Sequence, residues 1–365
     1  MIYIGIDVHK KRCVACLQDE TGQVLNELKF ANKQSGFQEL LAFLEGKKAK
    51  AVMESTGNLW IRLYRELEAH GVDVVLSNPA KTRVIAESVI QTDDISSRML
   101  ADLLRAAFIA VCYVPSPEVR GMRSHLRYRT KLVRDLTRIK NRIHSILDMY
   151  ELPEFKGTDL FGKAGLQWLR DQLPALTFND RLILRRELTR VEEHINHIKE
   201  VEQEIAAQAG ITEDVKLLLS LTGVGYFTAL LYLYEIGDIK RFSSSSKLAS
   251  WIGLVPRVHQ SGNACYYGNI TKRGSSLLRW ALIQAAHSAV RSDPHWREKF
   301  NRISAKRGKQ KAYVAVAREL AETMYHMLTR REPYWFSKEK TYTQKLKNLN
   351  RLVGKAQTNV GETPD

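Results

Sequence analysis

No apolar stretch in this 365-residue chain approaches the roughly 20 residues that cross a bilayer. The opening "MIYIGIDVHKK" turns polar too soon for a signal-peptide pattern, so no secretory leader is expected. A cytoplasmic protein without a membrane partner is expected. Cysteine is scarce: Cys13, Cys16, Cys112 and Cys265 are too few and too scattered for a disulfide framework. Cys13 and Cys16 spell C-x-x-C, but no second pair follows. On a strand, residues three apart face opposite ways, so ordinary strand cysteines are expected rather than a zinc or redox pair. Acids are outnumbered, 40 Asp and Glu against 56 Lys and Arg, for a net charge of +16 and a pI near 9.6. That surplus points to a polyanionic partner, nucleic acid before an anionic membrane surface. With 44% hydrophobic and 26% charged residues the chain is globular, and its length suits two or three domains.

Three strand-like runs, "MIYIGIDV", "RCVACLQDE" and "VLNELKFA", are separated only by "HKK" and "TGQ". A helix follows over "SGFQELLAFLEG" with Ser35 as its N-cap, then strand "KAVMES", helix "NLWIRLYRELEAHG" ended by Gly71, and strand "VDVVLSNP". Antiparallel strands followed by helices alternating with parallel strands predict an α/β RNase H-like (RuvC-like) N-terminal domain over residues 1–115. Residues 116–210 predict a long helical, coiled-coil arm. Leu132, Leu136, Ile139, Ile143, Ile146 and Tyr150 recur at three-four spacing, as do Leu184, Leu188, Val191, Ile195, Ile198, Val201 and Ile205. The second seam suits a partner in cis or in another subunit. Residues 211–338 predict a mainly α C-terminal domain of short loops and helices. Its start around Gly223-Val224-Gly225 is either a helix-hairpin-helix phosphate turn or an ordinary interhelical turn. Residues 339–365 are expected as a polar tail.

Asp7 closes the first strand and Glu54 the fourth, so neighbouring strands would bring both carboxylates to one sheet edge. A third acid is expected from the helix after the fifth strand, where "QTDDISSRMLADLLR" supplies Asp93 and Asp94. Converging carboxylates can hold a divalent metal for phosphoryl transfer; taken singly, Asp93 or Asp94 also reads as a helix N-cap. On the arm, Arg120, Arg123, Arg127, Arg129, Arg134, Arg138 and Arg142 interleave with Tyr128, His144 and Tyr150, which suits phosphate contacts and stacking along a nucleic-acid duplex.

"GIDVHK", "MESTGNLW", "SNP" with "TDDISSRMLADLLR", and "WIGLVPRVHQSGNACYYGNITKRGSSLLRWAL" together resemble the insertion-sequence one-ten family of transposases, relatives of the Piv invertases. The resemblance implies a DNA recombinase with a DEDD RuvC-like domain and a C-terminal transposase domain. It implies Mg2+ (or Mn2+) on Asp7, Glu54 and Asp93, and a nucleophilic serine at Ser261, followed by Gly262. It also implies donor and target DNA duplexes paired by a structured non-coding bridge RNA. A homo-oligomer is expected, a dimer that becomes a tetramer on DNA, in a prokaryotic cytoplasm and nucleoid-associated when active. The fourth acid departs from the family pattern: Ser96 stands where the last Asp belongs, and a neutral hydroxyl holds magnesium less well.

A serine hydroxyl attacks only when a base or metal activates it. His259 lies two residues away, and Lys272, Arg273 and Arg279 could neutralise a scissile phosphate. Two other readings compete with the recombinase. One is a RuvC-like structure-specific nuclease using water, which needs the carboxylates but not Ser261; the other is a catalytically impaired nucleic-acid-binding protein.

Overall fold

A computed structural model describes residues 1–55, 57–79, 81–82, 92–261 and 264–360, the last five as backbone only. It divides into two compact units, Met1–Pro115 and Ser116–Asp365. The expected arm and C-terminal domain thus fall within one unit.

The first unit is built on a six-stranded sheet in the order β3-β2-β1-β4-β5-β6. The strands are β1 (Ile2–Val8), β2 (Arg12–Gln18), β3 (Val24–Ala31), β4 (Ala49–Glu54), β5 (Asp73–Ser77) and β6 (Val111–Cys112). β1, β2 and β3 pair antiparallel, β4 and β5 add in parallel, and β6 returns antiparallel. This mixed sheet is compatible with the RNase H-like expectation. One sheet face, carrying Ile4, Ile6, Leu17, Ala51, Met53 and Leu76, packs on helices α1 (Gln34–Leu44) and α2 (Trp60–Ala69). α1 starts after Lys33 with no side-chain cap, so Ser35 lies inside the helix and does not cap it. The other face receives helix α3 (Asp93–Arg105), whose Leu100 and Leu104 bury Val52. A Cβ on Gly5 would lie 2.0 Å from the Ser97 carbonyl oxygen, so the missing side chain is what lets α3 lie against β1. Cys13 and Cys16 are buried and free, and burial pushes the Cys13 thiol up to about 12.

In the second unit, α4 (Pro117–Leu147) and α6 (Phe178–Ala209) run side by side, with α5 (Lys163–Asp171) near their connection. The second seam is satisfied within the chain: Leu184, Leu188 and Val191 bury Ile139, Ile143 and Ile146, while Val201 and Ile205 join a cluster with Met122 and Leu126. Of the two partners that this seam suits, the chain itself supplies the one in cis. The buried apolar stripe already has its partner.

The helical region continues through α7 (Glu213–Ser220), α8 (Tyr226–Ile236), α9 (Ser245–Ile252), α10 (Ser276–Ser292), α11 (Pro294–Arg307) and α12 (Lys309–Arg330). Gly223 has φ +89°, and a Cβ there would lie 2.4 Å from the Ala285 carbonyl oxygen, while Val224 is fully buried. This glycine permits close packing on α10, as an ordinary interhelical turn does. Two strands that sequence patterning assigned to loops, β7 (Pro256–Ser261) and β8 (Ala264–Ile270), form an exposed hairpin. Within the expected polar tail, Glu339–Val360 forms a helix, α13, whose Leu349 and Val353 are buried. Tyr342, Leu346, Leu349 and Val353 recur at steps of four and three, a helical stripe diluted by polar neighbours.

Candidate active site

The geometry of the first unit begins with strand parity. Tyr3, Gly5 and Asp7 alternate on the α3 face of β1, as Val52 and Glu54 do on β4. β1 and β4 are in register through Ile6 and Met53, so Asp7 and Glu54 extend from adjacent strand ends. Asp93 and Asp94 occupy the first turn of α3, where the helix dipole favours carboxylates. Neither is the N-cap. Thr92 holds that position, its side chain accepting from the Ile95 N–H.

Asp7 and Asp93 meet around a residue that motif reading passed over. His9 Nε2 lies 3.4 Å from Asp7 Oδ2 and 3.3 Å from Asp93 Oδ1. Arg12 Nη2 donates to the other Asp93 oxygen at 2.8 Å. One ligand atom from each of Asp7, His9 and Asp93 lies within 4.8 Å of the others, a group able to hold a metal ion. Glu54 stands on the same face one strand over, outside that group. Burial pushes the Asp7 carboxyl above its usual range, with His9 opposing and Asp93 adding to the rise. The hydrogen bond from Arg12 holds Asp93 below its usual range, against some burial. These donors fit a divalent cation, because the half-buried Asp7 carboxylate is partly desolvated and two carboxylates share a small volume. Asp94 turns away to Lys29 at 2.8 Å, and Ser96 is half-buried one turn after Asp93. The signal for His9 was its place two residues beyond Asp7, on the same side of an extended chain.

Ser261 ends β7 opposite Ala264 and is exposed; Gly262 lies outside the described residues. His259 shares its strand face and pairs with Tyr266. Below the hairpin, Arg279 Nη1 donates to the carbonyls of Ile252, Arg273 and Gly274, tying down a turn where Lys272 and Gly274 have positive φ. Burial holds its guanidinium below its usual range. Arg279 thus has a structural task beyond the expected phosphate contact.

Several arm arginines, read from sequence as phosphate contacts, are committed to partners inside the unit. Arg123 donates to the Tyr234 and Glu235 carbonyls, Arg127 to the buried Glu235 carboxylate at 2.8 and 3.0 Å, Arg129 to Glu202, and Arg142 to Glu187. Arg120 also has a partner within the protein. Arg138 bridges to Asp135, and Arg134 stacks over Trp280. Lys131, Arg134 and Arg138 line an open cleft of about 520 Å³ whose other wall is residues 274–277.

A transposase family model matches residues 4–151, and the model of the Transposase IS116/IS110/IS902 family matches residues 215–301. The transposase for insertion sequence element IS1111A of Coxiella burnetii is 29% identical, covering 91% of this chain and 90% of that protein. A probable family 20 transposase of Pseudomonas aeruginosa is 26% identical over 91% and 98% of the two chains. The pilin gene-inverting protein of Moraxella bovis is 25% identical over 91% and 97%. An α/β domain with acidic strand ends and a basic helical region therefore make up a DNA recombinase of the transposase class. The chain belongs to the IS110 family of transposases. Among the described residues, no helix is long and apolar enough to cross a membrane.

Proposed function

We propose that the protein is an RNA-guided recombinase that exchanges DNA strands through a phosphoserine intermediate at Ser261. Asp7, Glu54 and Asp93 hold the divalent metal, Mg2+ or Mn2+, at the end of a RuvC-like sheet. The exposed position of Ser261 at a strand end, in a chain whose relatives are named as transposases and a gene-inverting protein, carries this reading. The Ser261 hydroxyl gives up its proton, and its Oγ bonds to phosphorus as one P–O bond to the departing strand breaks. The departing hydroxyl takes up a proton. A hydroxyl from the other duplex then attacks the phosphoserine, forms the new diester and returns the serine, so the sequence consumes no co-reactant. A bound divalent ion supplies positive charge to the phosphate oxygens as charge develops on them.

The reading requires Ser261 and the acidic strand ends to act on one phosphodiester, within a chain or between copies. Two duplexes call for two such centres, hence an oligomer. Lys131, Arg134 and Arg138 beside residues 274–277 suit the backbone of DNA or of a structured bridge RNA. Sequencing the RNA that copurifies tests guidance: one discrete structured species is expected, and a random mixture removes that part. Trapping on denaturing gels tests the chemistry. Ser261→Ala should abolish the covalent protein–DNA adduct while retaining nucleic-acid binding. An adduct of undiminished yield removes Ser261 from the mechanism, and free ends on both strands without trapped protein point to hydrolysis by water.

A further inference from the structure

We propose that His9 is a metal ligand, so that Asp7, His9 and Asp93 form a mixed oxygen–nitrogen centre that favours first-row transition ions over magnesium. The inference rests on the metal reading of the acidic strand ends and adds a residue to it.

His9 is held by its backbone. Its N–H donates to the Arg12 carbonyl at 3.0 Å, closing the β1–β2 connection, and its own carbonyl accepts from the side chain of buried Asn32 at 2.8 Å. The imidazole therefore leaves the strand end from a fixed point. It stands nearly equidistant from the two carboxylates, at 3.4 and 3.3 Å, farther than the roughly 2.8 Å of a charge-assisted hydrogen bond to either. Adjacent ligands of an octahedral ion at about 2.1 Å are separated by about 3.0 Å, close to that spacing. One ligand atom from each of the three side chains lies within 4.8 Å of the others, and neither His9 contact is as short as a tight hydrogen bond, a grouping that suits ligands sharing an ion.

The outer partners fit the same arrangement. Arg12 takes Asp93 Oδ2 and leaves Oδ1 toward His9, dividing the carboxylate between an orienting cation and the centre. Asp7 likewise turns Oδ2 to His9. Magnesium demands oxygen ligands, whereas an imidazole nitrogen adds affinity for first-row transition ions.

The full-length protein, titrated with Mn2+ alone in a nitrogen-free buffer, gives the test. Electron paramagnetic resonance reads binding, and pulsed electron spin echo modulation reads coordinated nitrogen-14. Wild type should bind Mn2+ with nitrogen modulation. H9Q, at a half-exposed site, should fold normally by circular dichroism, lose the modulation and bind Mn2+ roughly tenfold more weakly. Its Mg2+ affinity, measured by competition, should change less. Mn2+ bound without nitrogen modulation in wild type overturns the role of His9 while leaving the carboxylate reading intact. Modulation that persists in H9Q assigns the nitrogen elsewhere and also overturns it. Absence of Mn2+ binding overturns the underlying metal reading itself.

Discussion

Gly5 sets the distance on which the acidic site depends. A Cβ there would meet the Ser97 carbonyl oxygen at 2.0 Å and the Ala101 nitrogen at 2.4 Å, and both are backbone atoms that cannot rotate away. Gly5→Ala should therefore push α3 off the sheet, costing about 1–3 kcal/mol in urea denaturation and weakening metal binding by moving Asp93. Unchanged Mn2+ binding would mean that Asp93 is positioned independently of β1. Asp7 makes the opposite trade, because its carboxylate is half-buried and near Asp93. With chelator present, Asp7→Asn should stabilise the fold by about 1 kcal/mol in thermal melts, while cation-induced stabilisation disappears. A melt below that of wild type would mean that His9 fully compensates the free carboxylate. Asp7 and Glu54 stand out in the sequence because each closes an apolar strand, and Asp93 because it opens a helix. His9 does not, because "HKK" reads as a polar spacer and only the close approach of α3 brings Asp93 to it.

At the scale of elements, legibility follows burial. The central strands β1 and β2 bury both faces and read as near-continuous apolar runs, whereas the arm helices each bury one stripe at a spacing of three to four, so both stand out in sequence. The β7–β8 hairpin buries almost nothing: Val258, Tyr266 and Tyr267 are all exposed. It therefore lacks alternation, and its remaining signal was the Gly-Asn pair between aromatic and β-branched runs. Helix α13 was hidden by its polarity, though Leu349 and Val353 pack among Val201, Ile205 and Leu219. Leu349→Ala should cost about 2–4 kcal/mol in the unfolding transition, and a negligible effect would mean that α13 detaches before the rest unfolds. Lys345 on the same helix donates to the Leu219 and Leu221 carbonyls, and burial pushes it down to about 8. Below pH 8 it is charged in both states, and its burial opposes folding. Between pH 8 and about 10.4 the folded chain releases the proton that the unfolded chain keeps, so folding gains as pH rises. Paired melts at pH 7.5 and 10 should show wild type gaining stability relative to Lys345→Met. A pH-independent difference would place the amine in solvent.

For the whole molecule, charge is divided as sharply as structure. Met1–Pro115 carries 14 Lys and Arg against 14 Asp and Glu, whereas Ser116–Asp365 carries 42 against 26. The entire surplus of +16 thus belongs to the second unit, and the first holds its acids without a compensating excess of cations. Total charge overstates the free basic surface, since Arg123, Arg127, Arg129 and Arg142 are bound to groups of their own unit. Lys131 and Arg134 in the open cleft are better placed for phosphates. Each phosphate contact contributes about 0.9 to the slope of log affinity against log salt on duplex DNA. Lys131→Ala with Arg134→Ala should therefore lower that slope by about 2 and weaken binding in 0.1 M salt between roughly tenfold and a hundredfold. Lys47→Ala with Lys48→Ala removes the same charge from the first unit and should leave the slope unchanged. Fluorescence anisotropy on a labelled duplex across a salt series separates the cases. If both double variants lower the slope equally, binding follows net charge and the cleft has no special part in it; if only the first does, the backbone of the nucleic acid lies along the arm.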